Sequence, residues 1–141
     1  LKAMLPAMAE GAASLTALNL GGNKLGRRGT DKLATCLMMT VPMPKYPKRE
    51  AKRLANPTLL RAINTINILA NGVTDECVGR YKWLLTAHLS LKSVSGIMGT
   101  VPNVVHRGEG LSPSDAKLIA ADLEVAHFKE SLYDLDLSEN K

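Results

Sequence analysis

Apolar side chains in this sequence fall into short, closely spaced sets, each followed by a polar turn. Leu15, Leu18 and Leu20 are spaced to line one face of a short strand, and Gly21, Gly22 and Asn23 turn the chain before Leu25. The set recurs as Ile63, Ile66, Ile68, Asn71 and Val73, and again as Leu132, Leu135, Leu137 and Asn140. Val101, Val104 and Leu111 make a weaker copy, with His106 and Glu109 in the third apolar and asparagine positions. A lone strand of this kind cannot bury its apolar side, so the recurrence implies units that stack on one another.

Between the sets the apolar period becomes helical. Residues 1–13 predict a helix with Met4, Leu5 and Met8 on one side, ended by Gly11; Pro6 is tolerated only near a helix start, so the helix can begin there instead. Gly26 and Gly29 lead into a second helix that turns Leu33, Ala34 and Leu37 inward. Thr74 is placed to cap a third, with Asp75 and Glu76 in its first turn and Cys77, Val78, Tyr81, Leu84 and Leu85 inward. Trp83 falls beside that stripe, suited to core or edge packing, with a partner contact as the alternative. Ser112, Pro113 and Asp115 form a capping-box-like start for a fourth helix, expected to pack Ala116, Leu118, Ile119 and Leu123. Leu91, Val94 and Ile97 suggest a strand ending at Gly96–Gly99, and the Val101 copy begins too soon after it for a helix. Two adjacent strands without an intervening helix are predicted there.

The set at 15–25, L-T-A-L-N-L-G-G-N-K-L, resembles the leucine-rich repeat family, in its long-repeat branch typified by ribonuclease inhibitor. The signature L-x-x-L-x-L-x-x-N-x-L is matched in full there, with conservative replacements at 63–73, and up to the last residues at 132–140. The resemblance implies an α/β solenoid over residues 1–141, with parallel strands on a concave face, helices on a convex face and irregular central repeats. It also implies that the asparagine side chain bonds the backbone of each turn; a buried amide can serve both a donor and an acceptor. Both ends of the chain cut across repeat units, so it is expected to belong to a larger array.

Repeat starts at 15 and 63 lie 48 positions apart, against about 28 for a regular repeat of this type. The excess falls on Val41-Pro-Met-Pro44 and Pro47, which exclude a helix and predict an exposed insertion over 41–61. Lys48 to Ala55 can resume a short basic helix. Lys45, Lys48, Arg49, Lys52, Arg53 and Arg61 face only Glu50 in this window, giving +5, the whole net charge of the chain. Burying those groups in a leucine-rich core would be costly, so Lys48, Arg49, Lys52 and Arg53 are candidates for docking an acidic surface. A merely solvated loop is the alternative.

Aromatic residues make up 4% of the chain, which leaves Leu, Ile, Val, Ala and Met to build the core. No apolar run is long enough for a transmembrane helix, and residues 1–20 do not read as a secretory signal. Cys36 and Cys77 lack C-x-x-C spacing or a neighbouring histidine and read as buried free thiols, which fits a reducing, intracellular compartment, cytoplasmic or organellar. His88, His106 and His127 match no metal spacing. Gly21, Gly22, Gly26 and Gly29 lack both the lysine of a P-loop and the spacing of a dinucleotide fingerprint. No catalytic, cofactor or metal site is predicted. Asp134, Asp136 and Glu139 form an acidic group, either a solvated face or a contact for a cation or basic partner.

The expected function is a protein–protein interaction scaffold without catalysis, binding other, unidentified protein subunits. Thr16, Ala17, Asn19, Asn64, Thr65, Asn67, Tyr133, Asp134 and Asp136 should face the concavity, and Asn19, Asn64, Asn67, Tyr133, Asp134 and Asp136 are the partner-binding candidates. The alternative is a structural or accessory subunit of a large assembly. A nucleic-acid-binding module is the weakest option, because only Tyr46 interleaves the basic residues.

Overall fold

The computed structural model describes residues 15–38, 41, 62–97, 103–125 and 132–140. Strands and helices alternate along them: β1 (Ala17–Asn19), α1 (Gly26–Met38), β2 (Thr65–Asn67), α2 (Asp75–Ala87), β3 (Asn103–Val105), α3 (Pro113–Glu124) and β4 (Asp134–Asp136). β1 pairs in parallel with β2, and β3 with β4. The helices pack in chain order, α1 on α2 and α2 on α3. This is an α/β arrangement with small parallel sheets.

The register follows the sequence repeats. Ala17, Leu18 and Asn19 face Thr65, Ile66 and Asn67, the 48-position step between the first two sets. Asn103, Val104 and Val105 face Asp134, Leu135 and Asp136. β1, β2 and β4 are shorter than their apolar sets, whose outer residues fall just beyond the strand ends. The Val41–Arg61 insertion, with Lys48, Arg49, Lys52 and Arg53, lies outside the described residues apart from Val41; so does the 1–13 helix.

Helix starts follow their caps. The Thr74 side chain accepts from the Cys77 amide at 3.4 Å, and Asp75 and Glu76 place negative charge at the positive end of α2. At α3 the Ser112 hydroxyl accepts from the Asp115 amide, while the Asp115 carboxylate accepts from the Ser112 amide at 2.8 Å. Pro113 occupies the first turn, where no amide donor is needed.

One core cluster joins strands and helices. Ile63, Ile66 and Ile68 from β2 and its flanks meet Leu33, Ala34 and Leu37 of α1, and Cys77, Val78, Tyr81, Leu84 and Leu85 of α2. Trp83, Leu15, Leu18, Leu25, Leu132, Leu135 and Leu137 are partly buried against this cluster. The Tyr81 hydroxyl donates to the Thr30 carbonyl at 2.9 Å, tying α2 to α1, and burial holds its phenol well above the usual tyrosine range.

The inward face of α3 differs from expectation. Ala116 is exposed and Leu123 only partly buried, while Asp115, Leu118, Ile119 and Asp122 are buried. Those four follow an i, i+3, i+4, i+7 stripe, which an apolar pattern misses because two of its positions are aspartates. After α2, Leu91, Val94 and Ile97 are buried as expected. Ser93 and Ser95, however, bridge to β2 at Thr65 and Asn67, and among the described residues they do not pair with β3. No helix separates His88 from Asn103 among the described residues.

Candidate functional site

The turns that follow the strands share one bonding plan. Asn71 donates its amide to Leu20 O of the preceding strand at 2.7 Å and to Ile68 O and Leu69 O of its own turn at 3.1 Å each, and its carbonyl accepts from the Leu25 amide at 3.0 Å. Asn140 repeats this group for group. It donates to His106 O at 2.6 Å, Leu137 O at 2.9 Å and Ser138 O at 3.4 Å, and accepts from the Leu111 amide at 3.0 Å. Backbone bonds recur with it. Leu20 N to Asn67 O (2.8 Å) and Gly22 N to Leu69 O (3.0 Å) correspond to His106 N to Asp136 O (2.9 Å) and Gly108 N to Ser138 O (3.0 Å).

Backbone conformation recurs as well. Gly22, Ala70, Gly108 and Glu139, which precede Asn23, Asn71, Glu109 and Asn140, all have φ between 56° and 69°. Lys24, Gly72 and Gly110, one position after those residues, are left-handed too. Two left-handed residues around one polar side chain make a tight turn whose free carbonyls converge on an amide. In the weaker third copy Glu109 cannot donate, and its Oε2 lies 3.0 Å from His106 Nδ1 instead. Asn23 keeps only the two bonds within its own turn, to Leu20 O and Gly21 O.

Several predicted partner-binding residues serve their own strands. Asn19 Oδ1 accepts from Gly21 N at 3.0 Å, Asn67 Oδ1 from Leu69 N at 3.0 Å, and Asp136 Oδ1 from Ser138 N at 2.8 Å. These three bonds bend the chain out of each strand. The Ser138 bond also holds the Asp136 carboxyl below its usual range. Asn67 is further hemmed in: a side chain at Gly96, whose φ is 81°, would meet it at 2.8 Å. Thr16, Ala17, Asn19 and Asp134 are exposed, and Asn64, Thr65 and Asn67 half-buried. Tyr133 is 84% exposed, and Val105 on the adjoining strand, which the pattern did not single out, is 61% exposed. β3 and β4 therefore carry Asn103, Val105, Asp134 and Tyr133 as an exposed, mixed apolar and acidic surface. Glu139 of the acidic group is paired with Arg107.

The densest polar site was not legible as such. Asp122 of α3 is fully buried and accepts from Ser93 Oγ, Val94 N, Ser95 N and Ser95 Oγ. Its carboxylate takes the Val94 and Ser95 amides, while the Ser93 and Val94 carbonyls accept from β2 and its flank. Burial pushes its pKa up, against the lowering effect of these donors. Asp115 does comparable work, accepting from Ala70 N at 3.1 Å and so fixing the turn after β2 to the start of α3.

Chemistry elsewhere is sparse. Cys36 is half-buried and Cys77 buried, both free, and burial pushes the Cys77 thiol up to about 11, the reverse of an activated nucleophile. Among the described residues no group of three or more His, Cys, Asp or Glu side chains is placed to hold a metal ion, and no helix is long and apolar enough to cross a membrane. His88 is buried and accepts at Nδ1 from Leu91 N at 3.1 Å, closing the turn after α2. Lys82–Glu124 and Lys117–Asp75, each 2.5 Å, join α2 to α3 across an exposed surface and contribute little individually.

Compared with protein-family models, with curated proteins and with solved structures, the chain has no significant match.

Proposed function

We propose that the chain is a stretch of leucine-rich repeat solenoid that serves as a protein–protein interaction scaffold and performs no catalysis. The observation that carries this reading is the identity of the Asn71 and Asn140 turns: four side-chain bonds each, to corresponding groups. Side-chain ladders of this kind fix a stack of similar units and leave the strand side free to vary. On that side Asn103, Val105, Tyr133 and Asp134 offer exposed aromatic, aliphatic and acidic groups suited to a protein surface. The basic 41–61 insertion adds a second docking element for an acidic surface in this proposal.

The test is site-directed photo-crosslinking in extract from the native source. A photoreactive residue at Tyr133 or Val105 should capture one discrete protein, and the same residue at Lys82 on α2 should not. Equal capture at all three positions, or none at the strand positions, rejects the scaffold.

A structural subunit of a large assembly is the second reading. It is favoured by the half-exposed Leu15, Leu18, Leu132, Leu135 and Leu137, whose counterparts Ile63, Ile66 and Ile68 are fully buried. Native sizing separates the two, since a permanent subunit should not appear as a free monomer.

A further inference from the structure

The sequence holds a single asparagine–glycine pair, Asn71 and Gly72, and it falls in the turn after β2. The plan of the turn explains the pair. The position after the central polar residue is left-handed at Lys24, Gly72 and Gly110, and glycine takes that conformation without strain. With no side chain, glycine also leaves its amide nitrogen open to close approach by the side chain before it. Once that nitrogen gives up its proton, it attacks Asn71 Cγ, expels Nδ2 as ammonia and closes a five-membered succinimide. Water then opens the ring, at Cγ to give aspartate or at the main-chain carbonyl carbon to give isoaspartate. One water enters and one ammonia leaves, with no oxidant or reductant. Lability of this kind makes asparagine a thermolabile residue.

The folded chain opposes each part of that step. Asn71 is 1% exposed. Its Nδ2, the leaving group, donates to Leu20 O at 2.7 Å and to Ile68 O and Leu69 O at 3.1 Å each, while its Oδ1 accepts from Leu25 N at 3.0 Å. Turning Cγ onto Gly72 N breaks these bonds among residues that are themselves buried, Leu20, Ile68 and Leu69. The unfolded chain carries none of these restraints.

The product does not fit the turn it came from. A carboxylate has no hydrogen to give Leu20 O, Ile68 O or Leu69 O, and it sets negative charge against three carbonyl oxygens. Isoaspartate also lengthens the backbone by one carbon. Glu109 shows where a carboxylate at the equivalent position goes: it is exposed, and its Oε2 lies against His106 Nδ1.

We propose that Asn71 is a modification site guarded by the fold: unfolding exposes it to spontaneous deamidation through Gly72, and the product bars the return to the folded state. Unfolding that is reversible at first thereby becomes irreversible. The proposal rests on the chemistry of this one turn and stands apart from the scaffold reading.

Ageing the 141-residue chain at one mildly alkaline pH and temperature, with and without concentrated guanidinium chloride, tests it. The tryptic peptide 62–80 carries Asn64 and Asn67 as internal controls, each followed by a β-branched residue. In denaturant Asn71 alone should convert, to aspartate and isoaspartate. Without denaturant its conversion should be at least about tenfold slower; equal rates overturn the proposal. The converted chain, separated by its extra negative charge, should fail to regain the native circular dichroism signal and denaturant midpoint. Asn71→Asp supplies one product without ageing and should unfold at lower denaturant concentration. Recovery of the native midpoint by the converted chain or by Asn71→Asp overturns the proposal. So does an unaged chain that fails to refold after brief exposure to denaturant, because some other event then makes unfolding irreversible.

Discussion

Asp122 and Ser95 are bonded twice, through the Ser95 hydroxyl at 2.5 Å and the Ser95 amide at 2.8 Å, both to the same carboxylate oxygen. With Ser93 and Val94 donating as well, α3 holds the 93–95 segment by a single anion. Asp122→Asn keeps one acceptor but sets an NH2 group against N–H and O–H donors. We expect a loss of about 2–4 kcal/mol in denaturant unfolding. The Val94 and Ser95 amides should also lose hydrogen-exchange protection. A loss within about 0.5 kcal/mol would mean that the segment is held by the burial of Leu91, Val94 and Ile97 and by its bonds to β2.

The same residue sets a pH dependence of unusual sign. Its folded-state pKa lies above the ordinary aspartate value of 3.8 because burial penalises the charge. Between those two values the folded state binds more protons than the unfolded, so stability from this group falls as pH rises through the window. Asp75, held down by Lys117 and then Ser114, and Asp136, held down by Ser138, act oppositely. Their contributions are present above 3.8 and fade as pH drops through their lowered values. The stability gap between the native chain and Asp122→Asn should therefore be wider at acid pH and narrow towards neutrality. A gap that widens instead would show the four donors outweighing desolvation.

How much of this was legible depended on what each residue type signals. Leu18 and Leu20 and their counterparts marked the strand positions, because apolar residues two apart, repeated before a polar turn, have few other solutions. Thr74, Ser112 and Asp115 marked helix starts through capping chemistry. Asp122 gave no such signal. A carboxylate at an i+7 position reads as solvent-facing until Ser93 and Ser95 are brought beneath it by chain reversal, a long-range event that no local pattern encodes. The Asx bonds of Asn19, Asn67 and Asp136 were likewise hidden, since a polar strand residue reads equally as a binding group or a turn former.

Removing the shared amide should cost very different amounts at equivalent positions. Asn71 is buried and makes four bonds, so Asn71→Ala strands Ile68 O and the Leu25 amide and leaves Leu20 O with Asn23 alone. We expect about 2–4 kcal/mol. Asn23 is exposed and makes two bonds within its own turn, so Asn23→Ala should cost under about 1 kcal/mol. Equal losses in thermal or denaturant unfolding would contradict the role assigned to cross-strand bonding.

Two glycines with open space around them separate backbone strain from steric fit. Nothing lies within 4 Å of a side chain built at Gly79, inside α2, or at Gly110, in the turn before α3. They differ in conformation. Gly79 is helical, while Gly110 has φ of 71°. Alanine at 79 lowers the entropy of the unfolded chain and suits a helix, so Gly79→Ala should stabilise by about 0.5–1 kcal/mol. Alanine at 110 must hold a left-handed backbone and should destabilise by about 1–2 kcal/mol. Because Gly110 occupies the position of Lys24 and Gly72, which are also left-handed, Lys24→Gly should relieve the same strain and stabilise by up to about 1 kcal/mol. Denaturant midpoints of the three variants settle the matter. If Gly110→Ala matched the native chain, the turn would be free to relax, and the left-handed pair would not be a fixed part of the repeated plan.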